Sequence, residues 1–208
     1  MYLVKTPFWL KWIYPSGIWK IPGSRKVVYL TFDDGPHPEV TPFVLEQLKK
    51  YNAKGTFFCI GKNVLSYAQI YESIITEGHA VGNHTYDHLN GWKTEDTNYI
   101  DNIKSAASLI VSNLFRPPYG RIKSSQIRAI KKHAELPQQI IMWDVLSADF
   151  DISLHGDQCA NYVIQHSRPG SIIVFHDSAK AWDRLQIALP KVLQYFHENG
   201  YEMALLPA

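Results

Sequence analysis

The chain has 208 residues, 46% of them apolar and 19% charged, with a net charge of +2 at pH 7. That composition describes one folded domain with a full hydrophobic core and excludes a disordered chain. A charge so close to zero gives no case for nucleic acid or a charged membrane surface as partner. The two cysteines, Cys59 and Cys159, lie far apart and match neither a disulfide framework nor a metal-ligand spacing. Cys59, inside the apolar run from Thr56 to Ile60, reads as a small buried hydrophobe.

Residues 1–25 form an arm dense in aromatics (Tyr2, Phe8, Trp9, Trp12, Tyr14, Trp19) and broken by Lys5, Pro7, Lys11 and Pro15. Those breaks interrupt the apolar core that an export signal needs and the longer one of a spanning helix. The compartment therefore stays open, cytoplasmic by default, with the cell envelope as the alternative. Two roles suit the arm: an anchor at a membrane interface, or, the reading favoured here, packing against the domain so as to close one end of it. Pro22-Gly23-Ser24 is a turn. Val27 to Phe32 is β-branched and aromatic and reads as the first buried strand, ending at Asp33-Asp34-Gly35-Pro36. Thr41-Pro42 opens a helix with proline at the first helical position, and Val44, Leu45, Leu48 and Tyr51 follow at helical spacing.

Thr56 to Ile60 is the second strand, and a helix over 63–77 stops at Gly78. A short strand over 79–82 delivers Asn83-His84-Thr85-Tyr86-Asp87-His88. A helix over 94–113 sets Ile100, Ile103, Ala107 and Ile110 on one face. Leu114 and Phe115 then end a strand stopped by Pro117-Pro118. A helix over 124–133 and a buried strand over 140–145 follow. Segments 155–167 and 183–199 bracket the apolar run 172–175, and 203–206 closes the list. Strands thus alternate with helices about seven times, which argues for an α/β fold with a parallel sheet. Nearly every chemically suggestive residue stands just after a strand: Asp33 and Asp34, His84 and His88, Arg116, Asp149, His176. In a βα barrel these ends converge on one face. An open doubly wound sheet would gather ligands at one switch point, and no glycine-rich phosphate loop is present. The expected architecture is a barrel.

Asp33 and Asp34, adjacent on a strand, point to opposite faces and need different partners. A metal ion for one, and an arginine or a water to be deprotonated for the other, is one solution; an ordinary Asp-Asp-Gly-Pro turn is the competing one. His84 and His88, four apart, can share a cation if the segment curls as a helical turn or loop, or can simply be solvated. Two neutral imidazoles and one carboxylate with an open position make the donor set of a catalytic zinc-type site, which cobalt, nickel or iron would also accept. Arg116 can hold a carboxylate with its planar fork, and the prolines after it stiffen a turn that leaves the Tyr119 N–H to face a ligand. His176, at the mouth of a buried strand, is a proton donor or acceptor candidate that Asp149 could orient. The bland alternatives are a surface charge, a core histidine and a polar loop.

Thr31-Phe32-Asp33-Asp34-Gly35, His84-Thr85-Tyr86-Asp87-His88, Arg116-Pro117-Pro118-Tyr119 and Ile173-Val174-Phe175-His176-Asp177 together resemble the ordered motifs of the polysaccharide deacetylases, the NodB-like carbohydrate esterases. The likeness runs from about residue 26 to the C-terminus, so residues 26–208 form the expected NodB-like domain behind the arm. The resemblance implies a single-domain distorted (β/α)7 barrel and metal-dependent removal of acetyl from N-acetylglucosamine units. By position, Asp33 matches the general base, Asp34, His84 and His88 the metal ligands, and Arg116 the residue that steadies the base. The Tyr119 N–H matches the oxyanion donor, His176 the general acid and Asp149 the aspartate that tunes it. The implied ion is divalent, zinc first, with Co2+ or Ni2+ as alternatives, and the implied partner is an acetylated amino-sugar polymer or oligomer. One motif, Trp143-Asp144-Val145-Leu146-Ser147-Ala148-Asp149-Phe150, departs from the pattern: Leu146 replaces an aspartate, and Phe150 the usual tryptophan of the substrate groove. That departure touches sugar contacts more than chemistry. It leaves an O-acetyl esterase, or a carbohydrate-binding homologue with weak catalysis, as the alternatives.

Overall fold

The β-branched and aromatic runs become parallel strands. A computed structural model describes residues 3–23 and 25–207, so Tyr2 of the arm, Ser24 of its turn and the terminal Met1 and Ala208 lie outside the described residues. In chain order the strands are β1 (Gly17–Ile18), β2 (Val27–Asp33), β3 (Gly55–Cys59), β4 (Ala80–Asn83), β5 (Leu114–Phe115), β6 (Gln139–Ile141), β7 (Val145–Leu146), β8 (Ile172–His176) and β9 (Glu202–Met203). The helices are α1 (Phe8–Ile13), α2 (Val40–Lys50), α3 (Gly61–Ser66), α4 (Ala68–Thr76), α5 (Asp96–Ala107), α6 (Ser124–Lys132), α7 (Gly156–His166) and α8 (Trp182–Glu198).

Eight strands line up as β1-β6-β5-β4-β3-β2-β8-β7, with β9 paired to β2. Every pairing in the row is parallel. Helices connect most successive strands, and the curled sheet is the distorted (β/α)7 barrel expected from the sequence. β2 lies inside the row between β3 and β8, and Phe32 on it stacks between Phe57 (ring centroids 4.9 Å) and Phe175 (6.1 Å), all three fully buried. Each such ring contributes about 2–3 kcal/mol by leaving water, so the strand that ends in Asp33 is anchored before any polar contact is counted.

Four boundaries differ from the sequence-based expectation. The run 140–145 is two strands toward opposite ends of the row, β6 beside β1 and β7 beside β8, because the Met142 N–H donates to the Ile18 carbonyl (2.8 Å) while the Asp144 N–H donates to the Ile172 carbonyl (2.9 Å). Apolarity there signalled burial, which both pieces share, and not one continuous ladder. The helix over 63–77 is α3 and α4, parted at Tyr67 (φ −129°, ψ 49°). The helix over 94–113 ends at Ala107, and Ile110 is buried from the turn beyond it. α2 starts at Val40, which moves Pro42 to the third helical position, where its missing N–H still costs no helical bond.

The arm lies between the two edges of the row. The Leu146 N–H donates to the Val4 carbonyl (2.8 Å) and the Thr6 N–H to the Asp144 carbonyl (3.0 Å), so residues 4–6 follow the free edge of β7. Residues 17–18, as β1, follow the free edge of β6. The Lys5 ammonium meets the buried Asp144 carboxylate at 2.6 Å, and Trp19 is buried beside Tyr99 and Phe115. Phe8, Trp9 and Trp12 on α1 face solvent. Among the described residues no helix is long and apolar enough to cross a membrane.

Candidate active site

Parallel pairing in register sets Asp33 opposite His176 at the ends of β2 and β8. Asp33 is buried, and its Oδ1 lies 2.7 Å from Arg116 Nη1. Arg116 has no exposure at all. Its Nη1 also donates to Thr31 Oγ1 (2.7 Å), Nη2 to the Met142 carbonyl (3.0 Å) and Nε to the Ile141 carbonyl (3.3 Å), while the guanidinium lies 4.1 Å from the Phe58 ring centre. Burial pulls the guanidinium down from its ordinary value and Asp33 pulls it back. A charge so fully enclosed needs these acceptors, and it fixes the Asp33 carboxylate in return.

Asp34 turns the other way. Its Oδ1 stands 3.2 Å from His88 Nε2 and 3.7 Å from His84 Nε2, and one donor atom from each of the three lies within 4.8 Å of the others. An ion held about 2.0–2.1 Å from each donor in a tetrahedron needs them ~3.3 Å apart, so the grouping fits a small divalent cation. The chemistry of the donors fits as well. His84 Nδ1 lies 2.7 Å from the Arg116 carbonyl, which can only accept; the proton therefore sits on Nδ1 and the Nε2 lone pair faces Asp34. Burial lowers the His84 imidazole to about 4, which keeps it neutral. Burial opposes ionisation of Asp34, but the hydrogen bond with His88 and the charge of His176 outweigh it and hold the carboxyl well below its ordinary range. The two histidines are not on a helix. They lie in a bent loop after β4, where Thr85 (φ 64°) and His88 (φ 58°) adopt the left-handed region and bring the rings to 5.0 Å.

On the opposite side His176 Nδ1 meets Asp149 Oδ1 at 2.7 Å, and the His176 N–H donates to Asp149 Oδ2 at 2.8 Å. Burial alone would lower this imidazole, but the charge and hydrogen bond of Asp149 lift it to about 9. It can therefore carry a proton at neutral pH, with Nε2 left to deliver it. Asp149 is fully buried, and its carbonyl accepts from Arg184 Nε at 2.7 Å. The Phe150 ring stands edge-to-face on His176 (5.2 Å). Tyr119, 60% exposed, packs its ring 4.7 Å from His88, and its φ of 60° lies inside a turn held by the Gly120 N–H to the Pro117 carbonyl (2.9 Å). All nine residues singled out from the sequence thus stand at the C-terminal ends of strands or in the loops that follow them.

The polysaccharide deacetylase family model matches residues 20–137. A peptidoglycan-N-acetylglucosamine deacetylase of Bacillus cereus is 31% identical over 92% of this chain and 92% of its own. The chain belongs to the polysaccharide deacetylase family. A chitooligosaccharide deacetylase of Azorhizobium caulinodans is 33% identical over 90% of this chain and 96% of its own. The crystal structure of a peptidoglycan N-acetylglucosamine deacetylase in complex with 4-naphthalen-1-yl-N-oxidanyl-benzamide superposes with a TM-score of 0.87 at 32% identity, covering 97% of this chain and 95% of that one.

Several residues of this deacetylase-family site carried no role in the sequence reading. Thr31 supplies an acceptor to Arg116, and Arg184 fastens the Asp149 backbone. Asn63 Nδ2 donates to the Asp34 carbonyl (2.8 Å), and Asp177, next to His176, reaches back to the turn after β2. Burial lifts the Asp177 carboxyl to about 8, with Asp34 adding to the rise. Position beside a motif was the one available signal for Asp177. Asn63 had none.

Proposed function

We propose that this chain removes N-acetyl groups from N-acetylglucosamine units of a poly- or oligosaccharide of the peptidoglycan or chitin type, with water as nucleophile. The observation that carries the reading is the grouping of Asp34, His84 and His88 donor atoms between two differently wired groups, Asp33 on Arg116 and His176 on Asp149. Asp34, His84 and His88 would hold a divalent cation, Zn2+ first with Co2+ or Ni2+ as alternatives, and the ion would supply Lewis acidity toward the acetamide carbonyl and toward water.

Asp33, paired with and oriented by Arg116, takes the proton of the attacking water. The Tyr119 N–H, presented by the left-handed turn after Pro118, donates to the oxygen that becomes negative; one such donor is worth about 3–4 kcal/mol elsewhere. His176, protonated through Asp149, passes its Nε2 proton to the departing sugar amine, which is otherwise a poor leaving group. Phe150 offers a ring beside His176 for a sugar face. Residues 1–25 are read as an arm and residues 26–208 as the deacetylase domain; the hydrogen bonds of residues 4–6 to β7 and of residues 17–18 to β6 support the arm packing on that domain.

Acetate release from chitin oligomers and from peptidoglycan, with and without chelator, tests the reading, with acetylated xylan as the ester control. Asp33→Asn should keep zinc binding and lose about 10²–10⁴-fold in rate. An Asp33→Asn protein that retains most of its turnover refutes the assignment of the base, and release confined to xylan refutes amide hydrolysis.

A further inference from the structure

Asp177 ends the segment that carries His176, and its carboxyl group is fully buried. Among the described residues no lysine, arginine or histidine lies within ion-pair distance of it. Ionising a carboxyl enclosed without a counter-ion is costly, in keeping with its rise to about 8, and hydrogen bonds hold the group where it stands. All of them go to the turn after β2 and the start of α2. Oδ1 accepts the Gly35 N–H (3.0 Å), Oδ2 accepts the Thr41 hydroxyl (2.5 Å), and the Asp177 N–H donates to the Asp33 carbonyl (3.0 Å). The contact is close enough that a Cβ on Gly35 would lie 2.0 Å from Oδ2, so only glycine fits there.

The other side of the turn is held as well. Asn63 Nδ2 donates to the Asp34 carbonyl (2.8 Å), and the Ile60 N–H donates to the Gly35 carbonyl (2.9 Å). The main-chain groups flanking Asp34 are therefore pinned by groups from the end of β8 and the start of α3. Between the pins Asp34 has φ 83°, in the left-handed region that a side chain with a Cβ occupies only when its surroundings impose it. This backbone is what sends two consecutive carboxylates to different partners, Asp33 to Arg116 and Asp34 to the two imidazoles. Relaxation to an ordinary φ would swing the Asp34 carboxylate off that pair.

We propose that Asp177 is a positioning residue: with Asn63 it imposes the left-handed backbone at Asp34 and so sets how tightly the protein grips its divalent cation. The proposal rests on reading Asp34, His84 and His88 as the cation ligands. Outer partners of metal ligands typically change affinity by about 10–100-fold when removed.

Calorimetric titration of the metal-free protein with zinc alone provides the test, without reference to turnover. Asp177→Ala should weaken zinc binding by about tenfold or more, and Asp177→Asn, which keeps an oxygen for the Gly35 N–H, should recover most of it. A melting curve of each metal-free variant accompanies the titration, since a merely structural role lowers the melting temperature and leaves the zinc affinity of the folded protein alone. Native-like Asp177→Ala with wild-type affinity overturns the proposal. Should Asp177→Ala fail to fold, Asn63→Ala carries the same expectation from the other pin, and unchanged affinity there overturns it equally. Asp34→Ala identifies the source of a failure: if it leaves zinc binding intact, the ligand assignment itself is wrong and the positioning role falls with it.

Discussion

Asp149→Asn probes the pair on which proton delivery depends. Asp149 is fully buried and touches His176 twice, at Nδ1 (2.7 Å) and at the backbone N–H (2.8 Å). Burial by itself lowers the imidazole, yet Asp149 lifts it from the ordinary 6.5 to about 9. That rise corresponds to roughly 3 kcal/mol between the protonated and neutral forms. In the variant burial, the largest effect, is opposed only by the smaller charges of Asp34 and Asp33, so the imidazole should then titrate at or below the ordinary value. At about pH 8 the protonated fraction falls from about nine-tenths to a few per cent, and acetate release should fall by about 30-fold. The asparagine also presents an N–H₂ to one of two donors that Asp149 accepted, at a cost of about 1–3 kcal/mol in stability, which a melting curve measures separately. The assay is the pH profile of kcat/KM for acetate release. The wild-type alkaline limb should lie near 9, because activity that needs His176 protonated is lost as pH rises through its pKa. An Asp149→Asn profile whose alkaline limb stays near 9 would refute the reasoning.

Arg116→Met leaves Asp33 buried without its counter-ion and should destabilise the fold by about 3–5 kcal/mol in urea unfolding; a loss below about 1 kcal/mol would mean that Asp33 finds other partners. The metal-free protein should melt at progressively lower temperature as pH rises from 6.5 to 9. His176, lifted from 6.5 to about 9, contributes stability that is complete below 6.5 and gone above its folded value. Asp177, lifted from 3.8 to about 8, acts in the same direction from lower pH. A melting temperature that is flat or rising across that interval contradicts both.

The strand that ends in Asp33 was legible because six residues of β-branched and aromatic character stop at a turn, and the helix after it because Val44, Leu45 and Leu48 keep helical spacing. The same logic misread the run 140–145. Apolar side chains mark burial toward either end of a sheet alike, and only hydrogen-bond partners tell one strand from two. The helix over 94–113 was drawn too long for a related reason: Ile110 keeps the spacing and the burial but lies past the last helical turn. At the site, the donors announced themselves by type and by their place after strands. The second ring of contacts did not, since Thr31, Asn63 and Arg184 are ordinary residues whose roles come from what faces them.

Residue order alone determined which donors exist, that strands alternate with helices, and that the reactive groups follow strands; side-chain chemistry and periodicity are local properties. Tertiary structure decided the pairings. Arg116 reaches Asp33 across 83 positions and Asp177 reaches Gly35 across 142, and residues 4–6 settle beside β7 rather than in solvent. Those contacts depend on strand register and on the curl of the whole sheet, which accumulate over the chain and leave no mark on any short stretch of it.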